Sequence, residues 1–227
     1  MVSVLTISFG LPIHQAVGTA LASMVVVSIS GTISHYREGN INAAAGVTVG
    51  FFGMLGAVFG ANIGQGIPEH LLQVMAGLAL WFLAFLVWLR TRLAPRLAAE
   101  IEGTEPAATP VMVARAGVLG ISGGVASAFF GVGMAPFIQL GMLTVFRLSL
   151  VRTIGTTMLA LVFISLSGSI ALARHGDVSV HHLIGATIGM MAGTYVGAKL
   201  TRRAPLKVLR VAIVATPFVA GTLLVFG

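Results

Sequence analysis

Gly120, Gly123, Gly124, Gly131 and Gly133 crowd into GISGGVASAFFGVGMAP, which ends at Pro136 and carries Ser127 in its middle. Glycine and proline break helices. In an apolar setting the break leaves a half-helix whose first amide hydrogens lack intrahelical partners, and that end of the helix attracts an anion. Gly123, Gly124, Gly131 and Gly133 let a ligand approach the backbone, and Ser127 offers a hydroxyl. Thr156 and Thr157 open a later apolar run and Thr19 opens an earlier one. All three are candidate donors, and all three also fit plain helix caps. The chemistry offered is reversible binding of a small anion by neutral groups. No catalytic residue is assigned, because no nucleophile–base pair, metal cluster or cofactor loop stands out. The GxGxxG-like glycine spacing has no strand before it.

The elements that would position these groups are membrane helices. Of 227 residues 57% are hydrophobic and 8% charged, and the mean hydropathy is +1.02. A soluble domain carries about 25% charged residues. There are no cysteines, so disulfides and thiolate metal sites are excluded. The net charge of +7 does not point to nucleic acid, since the basic residues are few and sit where membrane loops fall. A bilayer core takes about 20 apolar residues per helix. Such runs cover 16–36, 41–63, 70–89, 148–173, 178–200 and 206–226. Residues 2–11 make half a span, and 115–146 is too long for one upright helix and is broken at Gly131-Val132-Gly133. Three units follow: a first transmembrane repeat over 1–90, a polar linker loop over 91–113, and a second repeat over 114–227.

The two halves resemble each other. With Ser28 laid on Ser165, Gly18 falls on Gly155, Thr19 on Thr156, Ser30 on Ser167, Gly31 on Gly168, Arg37 on Arg174 and Gly39 on Gly176. Gly56, Gly60 and Pro68 likewise meet Gly193, Gly197 and Pro205. Coinciding polar and glycine positions mark an internal duplication. Carried backwards, the comparison pairs LTISFG with LTVFR and puts the counterpart of 120–136 ahead of Met1. Either the first half has lost that segment, or translation starts about 25–30 residues upstream, the preferred expectation.

Charge chooses between two threadings. If 115–146 crosses once, the lysines and arginines divide evenly between the two faces. If it enters and returns as a hairpin, all but Arg174 share one face, as the positive-inside rule requires. The hairpin inverts the halves relative to each other and puts the C-terminus outside. Irregular backbone at that depth must be buried in protein or line a wet cavity. The competing arrangement is one long tilted helix with a glycine kink. The expected fold class is thus an all-α polytopic membrane protein: two inverted repeats of about four helical segments each, with one glycine-broken discontinuous segment.

Other polar residues carry blander readings. Ser28, Ser30, Ser165 and Ser167 lie mid-span with Gly31 and Gly168, where small residues allow close helix packing. Gly56, Gly60 and Gly64, and Gly185, Gly189, Gly193 and Gly197, form one smooth stripe per helix. His35 and Trp88 suit the membrane interface. His181 and His182 lack a third ligand to complete a metal set, so no metal is expected. Arg37 and Arg174 sit at opposite mouths, where each could attract an anion or anchor a loop.

GISGGVASAFFGVGMAP, then RTIGTT (152–157), then HGDVS (175–179), then glycines every four residues, resemble the TauE/SafE-type sulfite exporter family over nearly the whole chain. The resemblance implies a transporter of small sulfur oxyanions or organosulfur anions, working mostly outward from a bacterial inner (cytoplasmic) membrane. Its partners would be a small anionic substrate and the lipid bilayer. It implies no cofactor, and it allows a homo-oligomer. Two departures stand out. The family's glycine-rich opening segment has no copy in the first half, and Met134 stands where a third glycine is usual. A non-transporting membrane protein, an assembly partner or sensor that lost this hairpin, is the alternative. Anion export down an inside-negative potential gains about 2.3 kcal/mol per charge per 100 mV. No carboxylate lies within the spans to relay protons, so potential-driven efflux is expected.

Overall fold

The computed structural model describes residues 1–100, 110–131, 133–201 and 206–226, with side chains for all of these except 94–100, 110, 195–201 and 206–210. The described chain is helical throughout: α1 (Val2–Ile7), α2 (Ile13–Arg37), α3 (Ala43–Gln65), α4 (Glu69–Glu100), α5 (Pro110–Phe130), α6 (Ala135–Val145), α7 (Leu150–Arg174), α8 (Val180–Thr201) and α9 (Leu206–Phe226). Among the described residues five helices are long and apolar enough to cross a membrane: α2, α3, α5, α7 and the Glu69–Leu93 part of α4. Residues 101–109 of the expected linker 91–113 lie outside the described residues. Helix continues to Glu100 and resumes at Pro110, because leucine, alanine and arginine sustain a helix beyond the bilayer. Val132, Arg202, Arg203 and Pro205, and the side chains of Arg96, Lys199, Lys207 and Arg210, lie outside the described residues.

Glycine lets α3, α5 and α7 lie close together. A Cβ on Gly56 would strike the Ile121 carbonyl, one on Gly60 the Val125 carbonyl, and one on Gly124 the Gly53 carbonyl. The contacts climb in step along both helices, so α3 and α5 run parallel. Gly46 against Leu159 and Gly53 against Ile164 set α7 parallel to α3 in the same way. Between α5 and α7 the chain doubles back. Gly123 faces Ile138 and Gly141 faces Leu119, which makes α6 antiparallel to α5. Val113 and Phe146 accordingly border the same depression of about 180 Å³, beside Asn42.

The α2–α7 pair is antiparallel and its contacts are reciprocal. Gly18 lies against the Asp177 backbone and Gly155 against the Asn40 backbone. Gly31 faces Met158, and Gly168 faces Leu21. Ser28 Oγ and Ser165 Oγ, 137 positions apart, lie 3.4 Å from each other. On α4 and α9 the Trp81 and Phe218 rings stack at 5.9 Å, and Trp81 Nε1–H donates to Thr222 Oγ1 at 3.2 Å. Both α2 and α7 end in a glycine with positive φ, Gly39 at 69° and Gly176 at 82°. The next amide closes each turn, from Asn40 to the His35 carbonyl at 2.9 Å and from Asp177 to the Leu172 carbonyl at 3.1 Å. That is the left-handed glycine cap with its six-to-one bond. The loops entering α2 and α7 also correspond, with Gly10 at φ 66° and Arg147 at φ 49°.

Candidate functional site

The break between α5 and α6 sits at the tip of the doubled-back pair. Gly131 adopts φ 62°, a conformation that L side chains rarely take. Its Cα hydrogen points at Val17, whose Cα would lie 2.6 Å from an added Cβ. Both conditions demand glycine. Gly133 is tight for a softer reason, since an added Cβ would meet only the mobile end of Met24. The tip therefore reaches the beginning of α2, and Phe129 lies beneath Gly64 near the end of α3.

Gly131 and Gly133 line a cavity of about 170 Å³ with Ser3, Ala20, Met24 and Met190. Two larger depressions, of about 570 and 550 Å³, lie between α4 and α9 and between α1 and α8. Neither reaches the break, and the smaller cavity is the one that the glycines shape. Every buried polar side chain among the described residues is neutral: serines, threonines and Gln139. The described residues contain no group of histidines and carboxylates arranged for a metal.

The hydroxyls singled out by sequence divide by use. Ser127 is fully buried. Its Oγ accepts the Met134 N–H across the break at 3.1 Å. The Ala135 N–H turns to the Gly133 carbonyl at 2.5 Å, and Pro136 has no N–H. The beginning of α6 is thus largely satisfied by the break itself. Thr19 and Thr156 hold loops: Ser179 N–H donates to Thr19 Oγ1 at 3.0 Å, and Asn42 N–H donates to Thr156 Oγ1 at 2.9 Å. Gly123 and Gly124 are contact positions, against Ile138 and the Gly53 carbonyl. Thr157 is different. It is fully buried on α7, and its hydroxyl has no hydrogen-bond partner within the protein. Gln139 on α6 shares that condition at Oε1. Sequence reading passed over Gln139, although a single amide inside APFIQLGMLTV was the signal.

Thr6 Oγ1 and His35 Nδ1 are likewise buried without a hydrogen-bond partner, while other polar residues are tied up locally. Ser28 Oγ donates to the Val25 carbonyl at 3.0 Å and Ser165 Oγ to the Leu161 carbonyl at 2.6 Å. Ser179 Oγ and His182 Nδ1 lie 2.8 Å apart. Trp88 is exposed, with the Arg92 guanidinium 5.5 Å above its ring. At the end of the bundle that carries the α7–α8 loop, Gln65 Nε2–H donates to Asp177, and His14 Nε2 lies 3.1 Å from the Gly64 carbonyl oxygen.

Comparison with known proteins adds three findings. The family described as sulfite exporter TauE/SafE matches residues 1–224. A "probable membrane transporter protein YdhB" of Bacillus subtilis is 41% identical over 226 residues, covering 100% of this chain and 90% of the relative. A "probable membrane transporter protein" of Xylella fastidiosa (strain Temecula1) is 27% identical over 192 residues, 83% of this chain and 71% of the relative. No solved structure matches the chain.

Proposed function

The chain belongs to the sulfite exporter TauE/SafE family, and on that premise we propose that it carries small anions, sulfite or related organosulfur compounds, out of the cell. The family and the relatives make it a multi-pass membrane transporter. The cargo is a small anion, the direction outward and the setting a bacterial inner membrane in this proposal. The observation that carries it is the glycine-enforced break at Gly131 and Gly133, which lines an interior cavity in a chain whose described buried polar groups are all neutral. Irregular backbone survives at membrane depth where it borders such a space. Gly123 and Gly124 seat the hairpin, Ser127 holds its turn, and Thr19 and Thr156 hold the loops that frame the passage. Thr157 does not line that cavity; toward the other end of α7, it is the hydroxyl left to meet the solute along the passage.

The two halves act as inverted repeats in this reading. Reciprocal contacts support it: residues 137 apart meet each other at Ser28/Ser165, and Trp81 stacks on Phe218. A residue lying on a two-fold axis touches its own counterpart. Inverted halves exchange roles to open a passage alternately to each side.

The test is efflux of radiolabelled sulfite from liposomes holding the purified protein, with a potassium gradient and valinomycin setting the potential. Efflux faster than from empty liposomes, and faster still when the interior is negative, is expected. Efflux no faster than from protein-free vesicles would remove the reading.

A further inference from the structure

Among the described residues, Gln139 Oε1 and Thr157 Oγ1 are buried on neighbouring helices without a hydrogen-bond partner in the protein. Gln139 is 5% exposed and Thr157 0%. Isolating a polar group in this way is unfavourable by about 1–3 kcal/mol, and native interiors keep few such groups. α6 and α7 are joined by a short loop and pack together. Each of the two residues lies about two turns from that loop. The other buried polar groups of α5 and α7, Ser127, Thr153, Thr156, Ser165 and Ser169, have partners. The described acidic, basic and histidine residues of the helices packed on α6 and α7 are Glu69, His70, Arg90 and Arg92 of α4, Arg115 of α5, Arg152 and Arg174 of α7, and His14, His35 and Arg37 of α2, and none is a buried residue; His35 lies against Gly155, with its Nδ1 3.7 Å from Glu38.

We propose that Gln139 and Thr157 form the hydrogen-bonding part of the solute site and select an oxyanion that retains one proton. This rests on the transporter reading above. An amide presents an acceptor oxygen beside two N–H donors, and a threonine hydroxyl both donates and accepts. A fully deprotonated, divalent oxyanion offers acceptors alone. It leaves Gln139 Oε1 without a donor and brings two charges into a site with no counter-charge. A singly protonated oxyanion fits both needs. Its O–H donates to Gln139 Oε1, and its charged oxygens accept from Thr157 Oγ–H and the amide N–H. The cargo is then a monovalent hydrogen oxyanion, and the proton crosses on the cargo.

Radiolabelled sulfite efflux from proteoliposomes, measured across the pH range in which sulfite gains its proton, is the test. At fixed total sulfite the wild-type rate falls as pH rises, in proportion to the hydrogen sulfite present. Gln139→Leu raises KM about tenfold or more, because it removes both the acceptor for the solute's O–H and an N–H donor to its charged oxygens. It melts at or above the wild-type temperature, because a lone carbonyl has left the interior. Thr157→Val, nearly isosteric, raises KM as well and serves as the second probe if Gln139→Leu does not fold. A wild-type rate that follows the divalent form overturns the proposal. So does a KM unchanged in a folded Gln139→Leu or Thr157→Val. A wild-type protein that moves no sulfite at any pH removes the transporter reading and this proposal together. The other two outcomes leave the transporter reading standing.

Discussion

Ser28 Oγ and Ser165 Oγ face each other at 3.4 Å where α2 crosses α7. Each hydroxyl also donates to a carbonyl of its own helix, so the contact owes more to small size than to the bond between them. Ser28→Leu drives the helices apart and destabilises by about 1–3 kcal/mol, the usual effect of overpacking. The double Ser28→Ala, Ser165→Ala variant stays within about 1 kcal/mol of wild type, since both hydroxyls go together. Thermal unfolding in detergent distinguishes the two, and equal effects would contradict the assignment.

Gly131 and Gly133 respond differently to the same substitution. Gly131→Ala meets an unfavourable φ and the Val17 backbone together. It destabilises by about 2 kcal/mol or more and abolishes sulfite efflux. Gly133→Ala displaces only the end of Met24, a flexible thioether, and retains folding. Melting temperature and efflux of the two variants, side by side, check the ordering.

Arg147 holds φ 49°, and Gly10, 137 positions earlier, holds φ 66°. A non-glycine residue in that region is strained by about 1 kcal/mol. Arg147→Gly relieves the strain and stabilises by a few tenths to about 1 kcal/mol, the entropy of the new glycine working against the gain. A lowered melting temperature would show that the arginine side chain matters more than its backbone.

Thr19 and Thr156 do the same work at opposite ends of the bundle, accepting the amide hydrogens of Ser179 and Asn42. Thr19→Val and Thr156→Val each leave a partly buried N–H without its acceptor, unfavourable by about 1–3 kcal/mol. The two losses match within about 0.5 kcal/mol and add in the double variant, because the sites are far apart. A large effect at one position alone would break the correspondence between the halves.

The doubling-back of α5 and α6 fixes sidedness. In a chain free of cysteine, single cysteines at Val113 and Ser149 react with an impermeant maleimide from one side, and a cysteine at Arg174 reacts from the other. Val113 and Ser149 reacting from opposite sides would rule out the hairpin.

Much of this architecture was legible in the residues. The helix bounds fall within a few residues of the apolar runs, and the glycine break stands where 115–146 was too long to be one helix. The α4 extension to Glu100 was missed because hydropathy reports where lipid ends, not where a helix ends. The site was less legible. Ser127, Thr19 and Thr156 were visible as hydroxyls, but their acceptor roles depend on Met134, Ser179 and Asn42. For Thr19 and Thr156 the donor lies in the other half of the chain, a distance that no local pattern encodes. Gln139 was overlooked because one amide in an apolar helix looks ordinary until its surroundings are seen to offer Oε1 no donor.

The neutrality of the buried interior has an electrical consequence. With no ionised side chain among the described buried residues, those residues bring no sensor of their own into the field, and their rearrangement without cargo displaces no side-chain charge there. Voltage acts on the passenger instead. Current steepness then reads out the valence of whatever is being carried.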